Sequence, residues 1–179
     1  MAHVPTGPHA DTDGTGDHAN PLSDPAFVAG LRTVPTGLPG EAPGWSAADL
    51  HGVRPDGSPV SVALAELDRP LVLVFLSVNC DGCGPFWQGL ADGTDPVLDG
   101  VVAVVVTKGP DTVDPTAVAG LAAGFTGDVV MGDRAWVDYR VTGYPFLVLV
   151  DPGSTRILAE TVGFGWSDLV STVQGGFAP

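Results

Sequence analysis

Leu71-Val72-Leu73-Val74-Phe75-Leu76-Ser77-Val78-Asn79-Cys80-Asp81-Gly82-Cys83 is the stretch on which the fold turns. Leu71 to Leu76 is apolar without alternation, as expected of a strand covered on both faces of a central sheet. The run is strand length, as is Phe146 to Val150, and both fall far short of the roughly 18 residues a membrane-spanning helix needs. Two cysteines follow with two residues between them, and Phe86-Trp87-Gln88-Gly89-Leu90-Ala91 then reads as a helix. Free N–H groups and the backbone dipole at the start of a helix stabilise a thiolate there. Pro85 is tolerated only in the first helical turn or at a kink, so the helix begins near Cys83 or bends there. Either way Cys80 stays at the mouth. Cys80 is therefore expected to be the attacking thiolate, and Cys83, one turn deeper, the resolving thiol.

Cys80 and Cys83 are the chain's only cysteines. With this spacing they cannot be the long-range staple of a small secreted domain, so they point to redox chemistry or metal. A structural zinc site wants two further Cys or His at matching spacing. The four histidines are His3, His9, His18 and His51, three in the N-terminal segment and one in a turn. Redox chemistry is the better reading, with no metal and no cofactor expected.

Working outward, Val101 to Val106 is a second continuous apolar strand. Asp114-Pro115 opens a helix running to Ala123, with the acid as N-cap and proline at the first helical position. Asp128 to Met131 reads as a short strand, Arg134 to Tyr139 as a helical turn and Phe146 to Val150 as a strong strand. A turn at Asp151-Pro152-Gly153 returns the chain as a strand from Arg156 to Val162, and Ser167-Asp168 caps a last helix ending near Gly175-Gly176. On the N-terminal side, Trp45 to Leu50 reads as an edge strand, Asp56-Gly57 as a turn and Val60 onward as the return. Residues 1–44, dense in Pro, Gly, Thr, Asp and His, are expected to be largely disordered, with one helix-compatible patch from Pro25 to Arg32. The expected organisation is thus a loose segment over 1–44 and one α/β domain over 45–179, with no internal repeat.

Among the chain's 179 residues are 21 acids against 7 bases, a net charge of −14. Binding a phosphate backbone or an anionic leaflet requires clustered Lys and Arg, so nucleic acid and membrane surfaces are poor partners. The N-terminus Met1-Ala2-His3-Val4-Pro5-Thr6 has neither a basic region nor an apolar run, so the sequence as written reads as cytoplasmic. An extracytoplasmic location is expected instead if that N-terminus is truncated. No phosphate loop, Ser-His-Asp arrangement or carboxylate cluster stands out. Trp45, Trp87, Trp136 and Trp166 are expected to be packing residues.

From Val72 to Cys83, and again over Val141-Thr142-Gly143-Tyr144-Pro145-Phe146-Leu147-Val148-Leu149-Val150-Asp151, the chain resembles the thioredoxin superfamily, and within it the TlpA-like and MauD-like thiol-disulfide proteins. The resemblance covers about Trp45 to Gln174. It implies a thioredoxin-like α/β fold: a central mixed β-sheet flanked by helices, here with an N-terminal β-hairpin extension. It further implies a cis peptide bond before Pro145, which would lie against the cysteine pair, and a docking role for Gly143, Tyr144 and Pro145. A cis X-Pro bond is cheap among cis bonds and leaves the preceding backbone open to an extended substrate strand. The implied function is a thiol-disulfide oxidoreductase cycling Cys80 and Cys83 between dithiol and disulfide. Its partners would be a protein or small-thiol disulfide substrate and an upstream electron donor.

Several positions depart from the family pattern. Asn79 replaces the usual Trp, Asp81-Gly82 replaces Gly-Pro, and Val74 stands where many thioredoxins carry a buried acid. The proton acceptor for Cys83 is thus missing from its usual place, leaving Glu66, Asp133 and Glu160 as candidates. An anion beside Cys80 disfavours the thiolate that a strongly oxidising pair requires, so a reducing pair is expected. Two alternatives remain. One is a thiol peroxidase of peroxiredoxin type, with Arg134 or Arg140 near the sulfur. The other is a non-catalytic peptide- or Cu(I)-binding module, since two thiolates can hold that soft ion.

Overall fold

The computed structural model describes residues 46–92, 100–151 and 153–176. The segment 1–44, Trp45 and Pro152 lie outside these. Seven strands form one mixed sheet: β1 (Leu50–Val53), β2 (Pro59–Val62), β3 (Leu71–Phe75), β4 (Val102–Thr107), β5 (Asp128–Met131), β6 (Phe146–Val150) and β7 (Ile157–Val162), in the order β2-β1-β5-β4-β3-β6-β7. β3 lies parallel to β4 and antiparallel to β6, and β4 lies parallel to β5. The helices are α1 (Gly84–Asp92), α2 (Pro115–Leu121), α3 (Asp133–Asp138) and α4 (Trp166–Gly176).

Every residue of β3 is buried, which explains its lack of alternation. Successive side chains of a strand still point to opposite faces. Leu71, Leu73 and Phe75 enter one apolar cluster with Val104, Val148 and Trp136. Val72 and Val74 enter the other with Cys83, Phe86, Leu147 and Leu169. Two cores therefore meet at the central strand, and each buried Val, Leu or Phe of β3 contributes on the order of 1.5–3 kcal/mol.

Local signals set the element ends. The Asp114 carboxylate accepts a hydrogen bond from the Thr116 amide at 2.9 Å, capping α2 one residue ahead of Pro115. Asp168 differs from the expected cap. α4 already starts at Trp166, and the Asp168 carboxylate reaches back to accept from the Phe164 and Gly165 amides at 2.5 and 3.0 Å. At the N-terminal side the strand starts only at Leu50, and β2, not β1, is the outer strand because Val53 of β1 pairs with Met131 of β5. Ser46 instead bridges to Arg156, and Arg54 is tied to Asp128 at 2.8 Å. Tyr139, buried behind α3, donates its hydroxyl to the Ala48 carbonyl at 2.6 Å. Among the described residues no helix is long and apolar enough to cross a membrane.

Candidate active site

At the C-terminal end of β3, pairing with β4 continues one residue further, the Leu76 amide donating to the Val106 carbonyl at 3.0 Å. The chain then leaves the sheet, reaches Cys80 in an extended conformation and tightens into a 3-10 turn over Asp81–Cys83. The Cys83 amide donates to the Cys80 carbonyl at 3.0 Å, and the two side chains form a disulfide with their Cα atoms 5.3 Å apart. Pro85 falls in the first turn of α1, where its missing N–H leaves no helical bond unmade. The two sulfurs are not equivalent. Cys83 is fully buried among Val72, Val74, Leu76 and Phe86, whereas Cys80 is only half-buried and is flanked by exposed Asn79, Asp81 and Gly82.

The Tyr144–Pro145 peptide bond is cis. Pro145 is buried against the cysteine turn: a Cβ placed on Gly82 would lie 3.6 Å from the proline Cδ and 3.9 Å from Cys80 Sγ. The turn and the proline loop, more than sixty residues apart in sequence, thus lie close enough that one added carbon at Gly82 would touch both. Tyr144 is exposed and Gly143 half-buried on the approach to this contact.

A third segment, which sequence reasoning missed, completes the rim. The Gly163 amide donates to the Pro145 carbonyl at 2.9 Å, and the next side chain, Phe164, is 86% exposed. A Cβ at Gly163 would sit 2.7 Å from Phe86 Cζ, so a side chain there requires the ring or the backbone to shift. The only local signal is Gly163-Phe164-Gly165 between a strand and a helix.

Two of the candidate proton acceptors, Glu66 and Glu160, lie away from Cys83, and the third, Asp133, is engaged elsewhere. Glu66 is exposed in the 3-10 turn that precedes β3, at the opposite end of that strand. Asp133 faces Lys108, its carboxylate 3.7 Å from Nζ, and accepts from the Gly109 amide at 3.4 Å. Glu160 pairs with Val148 across β6 and β7, and directly opposed residues share a sheet face. Val148 belongs to the core opposite the one that holds Cys83. Burial raises the Glu160 carboxyl above its ordinary range, and Arg140 partly offsets this. Of the arginines weighed for a peroxidatic role, Arg134 is held by Asp138 at 2.8 Å. Among the described residues no group of three or more His, Cys, Asp or Glu side chains is arranged to hold a metal ion.

Solved structures share this architecture. A putative thiol:disulfide interchange protein, DsbE, from Chlorobium tepidum superposes with a TM-score of 0.60 at 19% identity, over 74% of this chain and 96% of its own. The thioredoxin domain of a thiol-disulfide oxidoreductase from Bacteroides vulgatus gives 0.56 at 20% identity, over 75% and 96%. A secreted disulfide oxidoreductase from Mycobacterium tuberculosis gives 0.53 at 18%, over 70% and 94%. No family model matches the chain, and no curated relative matches it. The fold is thioredoxin-like, with the disulfide at the position where β3 hands over to α1.

Proposed function

We propose that the domain is a thiol-disulfide oxidoreductase that reduces or exchanges disulfides of a protein substrate through Cys80 and Cys83. The observation that carries this is the asymmetry of the pair: one sulfur half-buried in a turn that the buried cis proline approaches, the other sealed in the core. In the dithiol form the Cys80 thiolate attacks one sulfur of the substrate disulfide. A mixed disulfide forms, and the departing substrate thiolate takes up a proton. Cys83, having lost its own proton, then attacks Cys80 Sγ. The internal disulfide forms, the second substrate sulfur leaves as a thiol, and two electrons have passed to the substrate. An upstream dithiol donor returns the pair to its reduced form. Gly143, Tyr144 and Pro145 receive the substrate as an extended segment, because the proline has no N–H of its own and the backbone before it stays open. A working place outside the cytoplasmic membrane agrees with the secreted mycobacterial neighbour.

The test is thiol trapping of the pair in glutathione buffers together with insulin reduction. Reversible two-electron titration, turnover abolished by Cys80→Ser and a trapped mixed disulfide in Cys83→Ser are expected. No titration and no turnover would discard this reading in favour of a scaffold that binds peptide or Cu(I).

A further inference from the structure

Trp136 takes no part in the exchange chemistry, yet its ring meets both the strand that leads to the cysteines and the loop that carries Pro145. Its buried ring meets Phe75 of β3 edge-on at 5.5 Å and Tyr144 at 5.7 Å, with interplanar angles of 83° and 84°. Lys108, the only lysine in the chain, holds its ammonium 4.6 Å from the Trp136 centroid and is itself paired with Asp133 at 3.7 Å. The indole Nε1 is buried and has no hydrogen-bond partner among the described residues. The ring is therefore oriented by its aromatic neighbours and the cation, with no polar bond to fix it.

We propose that Trp136, with Lys108 over its ring, is a positioning residue that fixes Tyr144 for the docking of a protein disulfide. This rests on the docking role given to Tyr144 above. Tyr144 is 46% exposed, and a free ring at that place would have to give up rotamer freedom each time a substrate segment docked. Resting edge-on against Trp136, it is ordered beforehand. Trp136 in turn is braced on Phe75, five residues before Cys80, so the docking ring is referenced to the strand that delivers the attacking sulfur. Lys108 lies immediately after β4, the strand beside β3, and its ammonium limits the swing of the indole.

The experiment is steady-state reduction of insulin by the full chain and its variants, alone and in a Tyr144→Ala background, with the Cys80/Cys83 midpoint potential measured for each. Trp136→Leu is expected to raise KM about fivefold and Lys108→Met about twofold, the loss of an ordered aromatic contact and of its cation. The potential should not move, because Trp136 packs in the core on the opposite face of β3 from the one that holds the cysteines, and Lys108 is paired with Asp133. Both increments should vanish once Tyr144→Ala has removed the ring through which they act. Unchanged KM, a shifted potential, or equal increments with and without the Tyr144 ring would each overturn the proposal. If Trp136→Leu does not fold, Lys108→Met, a partly exposed site, decides the matter alone. Failure of Tyr144→Ala to change KM would remove the docking role and this proposal together, while absence of Cys80-dependent turnover in the parent would remove the oxidoreductase reading beneath both.

Discussion

Gly163 and Pro145 are joined by one hydrogen bond of 2.9 Å, donated by the glycine amide to the proline carbonyl, and this bond locks the end of β7 to the loop facing the disulfide. The backbones come together because Gly163 has no side chain to collide with Phe86 of α1. Gly163→Ala is expected to cost about 1–3 kcal/mol, as overpacking of a filled core does. Urea unfolding measures it. Phe86 lies three residues beyond Cys83, so the reduced variant should also alkylate faster at Cys83. A variant as stable as the parent would show that the Phe86 ring yields freely.

Asp81 sits exposed between the two cysteines, immediately after Cys80. Its carboxylate opposes formation of the Cys80 thiolate, although water and salt weaken the effect. Asp81→Asn should speed alkylation of Cys80 at neutral pH by about two- to threefold at low ionic strength, the size expected for one solvent-screened like charge a few ångströms away. It should also shift the midpoint potential in the oxidising direction. An equal rate at low and high salt in both proteins would show that the carboxylate does not act on this sulfur.

Tyr139 holds the strap ahead of β1 through its bond to the Ala48 carbonyl. Removing the hydroxyl in Tyr139→Phe should cost about 1 kcal/mol, since a part-buried carbonyl loses its partner. Burial pushes the phenol far above its usual 10.0. A group raised in the folded state contributes its full stability below the unfolded value and loses it as pH climbs toward the folded one. The parent should therefore weaken above pH 10 from this group, while the Phe variant escapes that part of the alkaline loss. Thermal melts from about pH 6 to about pH 11 compare the two.

Glu160 is raised above its ordinary 4.5 by desolvation, with Arg140 acting in the opposite direction. Its neutral form is favoured by folding, so the group's contribution is whole below that ordinary value and is lost as pH rises through the folded one. Glu160→Gln should accordingly melt at a higher temperature than the parent near pH 7. The difference should close below about pH 4, where the parent carboxyl is protonated in both states. A lower melting temperature for the variant at pH 7 would mean that attraction to Arg140 outweighs desolvation.

Features carried by short-range patterns are legible in the chain itself. The unbroken apolar run ending at Leu76 marks the central strand, Asp114-Pro115 marks the start of α2, and Cys80-Asp81-Gly82-Cys83 marks the turn that carries the disulfide. The cis bond at Pro145 follows from a family resemblance, because no local composition separates it from an ordinary turn into a strand. What escapes sequence reasoning depends on tertiary closure. Gly163 reaches Pro145 only because β6 and β7 pair in a particular register, and Trp136 reaches Tyr144 only because α3 packs on the face of β3 that carries Phe75. Sequence alone thus gives Trp136 a packing role, and only its ring contacts reveal that it also touches the proline loop. The missing acid at Val74 is equally visible in sequence, but not that Glu160 lies on the wrong face to replace it.

The bridge between Ser46 and Arg156 gives the domain a polarity that matters for handling it. Arg156 precedes the first residue of β7, and the register of β7 on β6 and of β6 on β3 puts that end level with Leu71, a full strand length from the cysteines. The backbone at Ser46 therefore joins the domain at the pole facing away from Cys80. A protein coupled to an electrode or bead at Ser46 itself would turn its sulfur pair toward the bulk liquid, ready for immobilised electrochemistry or for fishing mixed disulfides from solution.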